Sequence, residues 1–332
     1  MRPGTVHAII LNWRSAGMTL QSAEATLASM DGIDGWITLI DNDSGDGSFE
    51  TMRDAAEARG WTAGGRLRVL QSGRNGGFGA GNNAAMRVQL PGLPDHVLIL
   101  NSDSFPRPAM IGRMRDYMDN HPAVGLLGCC VVGTDGAHHD THFRFPSVAS
   151  EFEEAARTGP ISRLLAGSIV AMKMPDTAGP VDWVAGAALM IRRTVLDGIG
   201  GFDESFFLYF EETDLCLRAA RAGWPTHYLP DATIVHVGSA STGMTGWTLP
   251  PDYWFASREH YYRVNHGRSY ALAATGAHIL GLFVRRLRGW MGRPDPGFPT
   301  GKAAALLRHA LKPGKPRQIP RFSLYPPVGD TP

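Results

Sequence analysis

Val97-Leu-Ile-Leu-Asn-Ser-Asp103 is the stretch of sequence that decides the fold. Its apolar half, Val97–Leu100, is typical of a short strand buried on both faces, and polar residues follow where the strand ends. Similar apolar runs occur upstream, separated by segments with helical patterns. This alternation predicts an α/β fold with a mostly parallel sheet and helices on both faces. The upstream strands are Val6–Leu11, Trp36–Ile40 and Leu67–Leu70, and the helices are Met18–Met30, Phe49–Arg59 and Gly79–Val88.

The second half of the chain continues this pattern and then changes. We expect an irregular insertion over about residues 133–179 and, after about Thr242, a helical extension followed by a tail rich in proline and glycine. The predicted units are therefore residues 1–242, 243–291 and 292–332. The later strands are Val124–Val132, Val184–Ile191 and Thr233–Val237, and the later helices are Pro108–Asn120, Glu211–Ala222, Asp252–His266 and Tyr270–Trp290.

Length and composition allow one large domain with an appendage, because 332 residues with 43% hydrophobic content can bury a full core. The net charge of +1 conceals a basic segment. From Arg285 to Arg317 there are nine Lys/Arg and one acidic residue, a net charge of +8 against −7 elsewhere. This asymmetry predicts an anionic partner, most simply a membrane surface, with a solvated disordered tail as the alternative.

The sequence also carries information about the compartment. Its three cysteines include no C-x-x-C pair, which fits a reducing environment. Val6–Leu11 is too short for the core of a signal peptide, and no run approaches the roughly 18 apolar residues that span a bilayer. We therefore expect a cytoplasmic body that can be peripheral on the inner face of the cell membrane.

Polar residues follow the predicted strands, and ligands bind at the carboxyl ends of strands in an open parallel sheet. Asn12 follows the first strand, Asp41 the second, and Ser102 and Asp103 the fourth. A carboxylate in the place of Asp41 can accept the imide N–H of uracil or thymine, although an Asx-rich turn with a helix cap gives the same pattern. Asp103 can hold a divalent cation that also binds diphosphate oxygens, because Mg²⁺ takes few protein ligands.

A glycine-rich turn, Asn75-Gly-Gly-Phe-Gly-Ala-Gly-Asn-Asn83, leads into the third helix. Glycines let a backbone approach a ligand closely and a helix start favours phosphate, so the turn predicts a nucleotide-binding loop. It lacks the spacing of the G-x-G-x-x-G fingerprint, and a tight turn is the alternative. The candidate contacts to the nucleotide are Asn75, Gly76, Gly77, Phe78 and Asn82.

A later stretch, Gly201-Phe-Asp-Glu-Ser-Phe-Phe-Leu-Tyr-Phe-Glu-Glu-Thr-Asp-Leu-Cys-Leu-Arg218, enters a helix through a run of aromatic residues. It places Glu211, Glu212 and Asp214 on the first helical turn, where acidic residues also compensate the helix dipole. One of these carboxylates can be a general base. Crowding of like charges would raise its pKa, and the helix dipole would lower it. His236 ends a later strand and can complete a metal shell with Asp103, or can be a packing residue.

A further group of possible ligands, His138-His-Asp-Thr-His142, lies in the predicted irregular insertion. It has no second ligand group at a standard zinc spacing. A part in an acceptor loop is therefore favoured over a metal site.

Taken in order along the chain, these blocks resemble glycosyltransferase family 2, and most closely its bacterial rhamnosyltransferase-like subgroup. The resemblance covers about residues 5–240, and the segment His260–Gly267 resembles the region that follows the catalytic part of that subgroup. It implies a GT-A fold, a nucleoside-diphosphate sugar donor, a divalent metal (Mg²⁺ or Mn²⁺) and inversion at the anomeric carbon. The blocks are Ile10–Trp13, Leu39–Ser48, Asn75–Asn83, Leu98–Asp103, Val184–Arg193, Gly201–Arg218 and His236.

The resemblance also implies roles for single residues. Asp41 would contact the base, and the backbone near Asn12 and the glycine turn would line the nucleotide. Asp103 would be the metal carboxylate, with His236 as a further ligand or a diphosphate contact. Glu212 stands where the family usually has the Asp of its Glu-Asp catalytic pair, so a longer carboxylate serves as base. Asn101 stands where an acid is common, which leaves one metal carboxylate instead of two.

The favoured interpretation is an inverting, metal-dependent transferase that uses dTDP-rhamnose and a saccharide or polyprenyl-linked acceptor in cell-surface polysaccharide synthesis, with no nucleic-acid partner. A UDP-hexose transferase of the same family is the first alternative. A nucleotide-sugar-binding scaffold without turnover is the second, and the acids at 103 and 212 with His236 argue against it. A sugar-phosphate nucleotidyltransferase would need a glycine-rich triphosphate loop near the start, and Leu11-Asn-Trp-Arg-Ser15 contains no glycine.

Overall fold

The computed structural model describes residues 3–173, 175–238, 247–291, 295, 297–320 and 325. Strands and helices alternate through the first half of the chain, as the sequence predicts. The strands are β1 Val6–Asn12, β2 Gly35–Asp41, β3 Leu67–Gln71, β4 His96–Asn101, β5 Ser104–Pro106, β6 Leu126–Val132, β7 His138–His139, β8 His142–Phe143, β9 Gly179–Val181, β10 Trp183–Val184, β11 Ala188–Arg192 and β12 Thr226–His236.

The helices of the first half pack on the sheet, and those of the last part pack on one another. They are α1 Ala16–Ser29, α2 Ser48–Ala58, α3 Phe78–Met86, α4 Met110–Asn120, α5 Val148–Ala156, α6 Gly159–Leu164, α7 Arg193–Ile199, α8 Glu211–Arg221, α9 Asp252–His266, α10 Arg268–Trp290 and α11 Lys302–Ala310.

The main sheet has the strand order β3-β2-β1-β4-β11-β6-β12-β5, with β7 added to β6 and β9 added to β12. The first four strands of this order are parallel, and β6 is parallel to β12. Because β11 is antiparallel to both β4 and β6, these two strands point the same way. The carboxyl ends of β1, β2, β3, β4, β6 and β12 therefore meet at one edge of the sheet.

Helices cover both faces of this sheet, which confirms the predicted architecture. On one face, Leu20 of α1, Met52 of α2 and Met114 of α4 pack in a core cluster with alternate side chains of the strands. On the other face, Met86 of α3 and Cys216 of α8 pack in a second cluster, together with α7. Successive strand residues point to opposite faces, so short, wholly apolar strands supply both clusters.

Two predicted elements need correction. The insertion after β6 is not irregular, since it contains short strands and the helix α5, whose Ser147 accepts a hydrogen bond from the Ser150 N–H as an N-cap. The predicted strand Val184–Ile191 is divided by a turn into β10 and β11, and Gly186 lies in that turn. Gly186 has no Cβ, which matters for the site, because a Cβ there would lie only 3.2 Å from Cζ of Phe78.

The helical extension packs on the body through a buried ionic cluster. Glu151 of α5 accepts hydrogen bonds from Arg258 of α9 at 2.9 Å and Tyr262 at 2.8 Å, and its other oxygen lies 2.6 Å from Nδ1 of His278 on α10. Burial alone would raise the pKa of Glu151, but its cationic partners lower it to about 2. Gly281 of α10 lies so close to α5 that a Cβ there would meet the Phe152 carbonyl at 2.6 Å.

Beyond α11, residues 313–320 form an extended strap over the loop before α8. Its backbone bonds that loop directly, because the N–H of Glu204 donates to the carbonyl of Gln318 at 2.9 Å. Further on, the Tyr325 hydroxyl lies 2.8 Å from Nδ1 of His7, a buried residue of β1. The predicted domain boundary at 242 lies outside the described residues, so the division of the chain stays a prediction.

Candidate functional site

The end of β1 is joined to the end of β2 by a buried polar network. Asn12 donates from its amide to Oδ1 of Asp41 at 2.7 Å, and Ser44 donates to the same oxygen from its hydroxyl and to Oδ2 from its N–H at 3.0 Å. Asn12 and Asp41 are fully buried. A carboxylate has about four acceptor sites, so Asp41 keeps capacity for a further donor while its present bonds fix the loop.

The glycine turn after β3 is held by the neighbouring strand end. Asn42 donates to Oδ1 of Asn75 at 3.1 Å and to the carbonyl of Gly77 at 3.2 Å. Gly77 has φ 91°, and a Cβ there would lie 1.9 Å from the carbonyl oxygen of Phe207. That carbonyl accepts the Phe78 N–H at 3.0 Å. The glycine at 77 thus permits close approach of the aromatic run before α8, which contains Phe207. The sequence does not predict this contact.

The next turn of α3 also packs on protein. Substituting Gly79 would bring a Cβ within 2.8 Å of the Phe202 Cβ, and Gly76 packs on Ala80. Asn82 is fully buried; its amide donates to the Phe78 carbonyl, and its Oδ1 has no hydrogen-bond partner. A buried acceptor without a partner is costly. A donor group on a ligand could bond this Oδ1 of Asn82, near the start of α3.

Asp103 and His236 come together because β5 pairs with the end of β12. Ser104 is in register with His236, so the residue before Ser104 lies beside the imidazole. Oδ1 of Asp103 is 3.1 Å from Nε2 of His236, and Oδ2 accepts the Gly238 N–H at 3.1 Å. Burial alone would raise the pKa of Asp103, but the contacts with His236 and the N–H of Gly238 lower it on balance.

This pair fits a divalent cation that takes its other ligands from the substrate. One carboxylate and one imidazole converge, and Mg²⁺ or Mn²⁺ commonly uses one or two protein carboxylates plus phosphate oxygens. Asn101 adds an amide nitrogen 3.4 Å from Nε2 of His236. Ser102 lies at the same strand end and accepts a hydrogen bond from Ser15 at 3.1 Å.

A second acid–histidine group lies elsewhere. Among the described residues, Glu151, Glu154 and His278 form the set of three whose ligand atoms lie within 4.8 Å of one another. Because Arg258 and Tyr262 already bond the Glu151 carboxylate, this group is better explained as the ionic cluster between α5, α9 and α10.

Glu211 and Glu212 begin α8 in a region of low polarity. Glu211 is buried and Glu212 is half-buried, and each has an Oε2 without a hydrogen-bond partner. Burial, followed by the charge of Glu212, raises the pKa of Glu211 well above its usual range. Burial also raises the pKa of Glu212 to about 7, although N–H groups including that of Gly186 lower it in part. A carboxylate with a pKa near neutrality is matched to general base catalysis.

Glu212 adjoins the glycine turn. A Cβ on Gly186 would lie 3.8 Å from Oε1 of Glu212 and 3.2 Å from Cζ of Phe78. Phe78 meets Phe202 edge to face, with ring centroids 5.9 Å apart. The ring of Phe78 and the carboxylate of Glu212 therefore both border Gly186.

Asp214, which the sequence offered as a further catalytic acid, has a structural role. Its carboxylate is fully buried and accepts hydrogen bonds from Arg218 at 2.7 Å, Asn265 at 2.8 Å and Arg317 at 2.9 and 3.1 Å. An acid paired with two guanidinium groups has no free oxygen for a substrate proton.

Several supporting residues gave no sequence signal, because their partners are distant in the chain. Asn83 of α3 bonds both backbone groups of Phe202, which couples the glycine turn to the loop before α8. Asp203 bonds His260 of α9 at 3.0 Å and the N–H of Gln318 at 2.8 Å. Of the insertion, His138 lies 3.2 Å from the thiol of Cys130, and the ring of His142 contacts that of Tyr228 at a tilt of 39°.

Comparison with known proteins identifies the family of this chain. The model of the family described as "Glycosyltransferase like family 2" matches residues 16–264. The N-acetylglucosaminyl-diphospho-decaprenol L-rhamnosyltransferase of Mycobacterium tuberculosis (strain CDC 1551 / Oshkosh) is 30% identical over 218 residues, which cover 62% of this chain and 68% of the relative. Rhamnosyltransferase WbbL of Escherichia coli (strain K12) is 29% identical over 170 residues, which cover 48% of this chain and 60% of WbbL.

Among solved structures, the mannosyltransferase PcManGT from Pyrobaculum calidifontis, in complex with GDP-Man and Mn²⁺, superposes with a TM-score of 0.53 at 14% identity. The match covers 93% of this chain and 87% of PcManGT. Likeness at this identity bears on the fold alone, and that fold is GT-A. Strand-end acids, a glycine turn and a pair of acids at a helix start thus occur together in a chain that belongs to glycosyltransferase family 2.

Proposed function

We propose that the protein transfers a rhamnosyl group from dTDP-L-rhamnose to a saccharide or polyprenyl-linked acceptor, with inversion at the anomeric carbon. The observation that carries this proposal is Glu212, a carboxylate at the start of α8 whose pKa burial raises to about 7. The choice of sugar follows the printed names of the two relatives, both of which are rhamnosyltransferases. The acceptor class follows the name of the mycobacterial relative, which acts on a decaprenol-linked N-acetylglucosamine.

In the proposed reaction, Glu212 takes the proton of an acceptor hydroxyl. The hydroxyl oxygen forms a bond to the anomeric carbon on one face while the bond from that carbon to the diphosphate breaks on the other. The products are the glycosylated acceptor and a nucleoside diphosphate. Burial of Glu212 raises its pKa, which favours proton uptake near neutral pH.

Asp103 and His236 would hold the divalent cation, Mg²⁺ or Mn²⁺. When bound, the cation supplies positive charge to the departing diphosphate. The N–H of Gly238 bonds Oδ2 of Asp103 and fixes the carboxylate beside His236. Asn101 and Ser102 line the same strand end, and Ser102 is held there by Ser15.

The donor nucleotide is proposed to lie across the ends of β1, β2 and β3. Asp41 would accept the imide N–H of the base through its remaining acceptor capacity, next to Asn12. Asn82 would meet the donor through its unpaired Oδ1, at the start of α3. Asn75, Gly76, Gly77 and Phe78 shape this turn.

We further propose that the protein acts at the inner face of the cell membrane, in the synthesis of a cell-surface polysaccharide, with α10 lying on the lipid surface. None of the helices in the described ranges is long and apolar enough to cross a bilayer. One stripe of α10 nevertheless exposes apolar side chains at helical spacing, and Arg286 packs over the Trp290 ring beside it. The stripe is formed by Leu272, Leu280, Phe283, Leu287, Trp290 and Met291.

A donor screen tests the proposed activity. Purified protein is incubated with dTDP-rhamnose, UDP-hexoses and GDP-mannose, Mn²⁺, and N-acetylglucosaminyl diphosphate on a short polyprenyl chain. We expect the fastest release of nucleoside diphosphate from dTDP-rhamnose. Faster release from a UDP-hexose would favour the alternative donor, and binding of a donor without release from any of them would favour the scaffold.

Glu212→Gln separates base chemistry from binding, because the amide keeps the shape but cannot take the proton. We expect loss of transfer with nearly unchanged donor affinity, while the control Glu154→Gln, at an exposed residue of α5, keeps full activity. Retention of most of the turnover in Glu212→Gln would move the base role to Glu211.

A further inference from the structure

The aromatic run before α8 is divided between the core and the surface. Phe206 and Phe210 pack in a cluster with Tyr261 and Tyr262 of α9. Phe207, between them in sequence, is 42% exposed. Core packing thus explains only part of this run.

The backbone of the run is strained at the residues that adjoin the buried acids. Tyr209 and Phe210 have φ values of 68° and 69°, a left-handed conformation that bulky side chains rarely adopt. Such a residue costs about 1–3 kcal/mol, and strain of this kind persists mainly at functional sites. The strained pair turns Phe210 inward, toward Trp254 and Tyr261, and leaves Tyr209 with a different set of partners.

Those partners form an aromatic platform, defined here as Phe207, Tyr209, Trp247 and Tyr253. Tyr209 lies nearly parallel to Tyr253, with centroids 6.3 Å apart, and meets Trp247 at 5.7 Å. Phe207 lies 5.6 Å from Tyr253. Tyr209, Trp247 and Tyr253 are half-buried. Four rings at a partly open surface present apolar faces.

The platform adjoins Glu212 in two ways. Tyr209 precedes Glu212 by three residues at the start of α8. Through space, the Phe207 carbonyl accepts the N–H of Phe78, whose ring packs on Gly186 beside the Glu212 carboxylate. The loop that carries Phe207 and Tyr209 is therefore joined both to the start of α8, which carries the proposed base, and to the turn that contains Phe78.

We infer that the platform binds the sugar ring of the acceptor. The inference rests on the proposed function and deepens it, by naming the acceptor's recognition element as a pyranose ring whose C–H face stacks on aromatic rings. Binding sites typically combine aromatic lining with a few placed polar groups. The candidate donor contacts come from the strand ends and the glycine turn, whereas the rings of the platform come from the loop before α8 and from residues 247–253, which lead into α9, so we assign the platform to the second substrate.

Steady-state kinetics with dTDP-rhamnose and two acceptors test the inference. The acceptors are N-acetylglucosaminyl diphosphate on a short polyprenyl chain and the same sugar as a soluble methyl glycoside. We expect Tyr253→Ala and Trp247→Ala to raise the KM of both acceptors about tenfold or more, equivalent to about 1.4 kcal/mol. The donor KM and the slow release of dTDP without acceptor should stay unchanged. Tyr253→Phe, which keeps the ring, should stay within about twofold of wild type in acceptor KM.

Three results would overturn the inference. An unchanged acceptor KM in both alanine variants would show that the platform is only packing. A rise in donor KM alone would assign it to the nucleobase, and a rise confined to the polyprenyl acceptor would assign it to the lipid chain.

Binding of the methyl glycoside, followed by saturation-transfer NMR, separates this inference from the proposed activity. Wild type that binds the sugar without transferring rhamnose would refute the activity alone. Equal saturation transfer by wild type and Tyr253→Ala would refute the platform alone. Tyr209→Gly adds a second control, because it removes a ring and relieves the left-handed strain. We expect it to lose acceptor affinity without a lower Tm, whereas a purely structural Tyr209 would give a lower Tm with normal kinetics.

Discussion

Nη1 of Arg317 lies 2.9 Å from Oδ1 and 3.1 Å from Oδ2 of Asp214, although 103 residues separate the two in sequence. Arg317 belongs to the strap, outside the residues 16–264 that the family model matches. Asp214 lies on the first turn of α8, two residues after Glu212. A segment beyond the family region thus supports the helix that carries the proposed base.

Arg317→Ala should destabilise the protein by about 2 kcal/mol, because it removes charge-assisted hydrogen bonds from a fully buried carboxylate. Thermal unfolding should show a Tm lower by a few degrees. The matched control is Arg308→Ala, which breaks an exposed pair with Asp252 and should cost less than about 1 kcal/mol. Equal Tm changes in the two variants would contradict the structural role assigned to Arg317.

The rate of transfer should depend on pH through Glu212. A general base acts in its ionised form, and burial raises the pKa of Glu212 to about 7. We therefore expect kcat/KM, which reports ionisation of the protein without substrate, to rise about tenfold per pH unit below pH 7 and to level off above it. The profile is measured with donor and acceptor below their KM between pH 5.5 and 8.5, and a flat profile there would contradict the assignment.

The same carboxylate should lower stability at alkaline pH. In the unfolded chain Glu212 loses its proton near its ordinary value of 4.5, whereas the folded protein holds it to about pH 7, so stability falls as the pH rises between these values. Glu212→Gln removes this cost, worth about 3 kcal/mol at about 1.4 kcal/mol per unit. Urea unfolding should show the variant more stable than wild type at pH 8 and similar at pH 4.5. A constant difference at both pH values would count against the raised pKa.

Removal of Asp103 should abolish metal-dependent donor binding. Asp103 supplies the carboxylate of its pair, so Asp103→Ala should weaken dTDP binding about tenfold or more in Mn²⁺, and His236→Ala should do so less. Calorimetric titration in Mn²⁺ and in chelator measures both. Glu154→Ala, in the other acid–histidine group, serves as control and should bind like wild type. Equal affinity of the wild type with metal and with chelator would end the metal proposal.

The exposed stripe of α10 should govern binding to lipid. Leu280→Glu combined with Phe283→Glu places two charges on this stripe. Burial of each apolar side chain in the lipid would contribute about 1.5–3 kcal/mol to binding, and the double variant loses this contribution. We expect at least tenfold weaker flotation with anionic vesicles, and weaker flotation of wild type in high salt. Leu93→Glu, at an exposed residue before β4, is the control. Equal flotation of both variants and wild type would leave α10 as a packing helix.

The sequence predicts the parts of this fold that depend on local pattern. Short apolar strands bounded by polar residues identify β1 to β4, and the order of strand ends brings Asp103 toward His236 before any coordinates are known. The helix α5 was missed, although Ser147 and Ser150 form a capping box before its apolar face. That signal was available but uses serine where glutamate or glutamine is usual.

The distinction among the three acids of α8 could not be predicted from the sequence. Spacing places Glu211, Glu212 and Asp214 on one helical turn, and only long-range partners separate them. Asp214 is paired with Arg317, far along the chain, while Glu212 lies beside Gly186 and has an Oε2 without a hydrogen-bond partner. Such contacts depend on tertiary packing, which local pattern does not encode.

The bond between His7 and Tyr325 has a consequence for synthesis on the ribosome. His7 lies in β1, near the start of the chain, and its two ring nitrogens meet the Tyr325 hydroxyl and Thr38 at 2.8 Å. Translation at about 5–20 residues per second delivers Tyr325 roughly 15–65 s after His7. Throughout that interval the nascent central sheet carries an imidazole that lacks one partner. The polar contacts of this buried imidazole are thus completed only after the distal segment of the chain has been made.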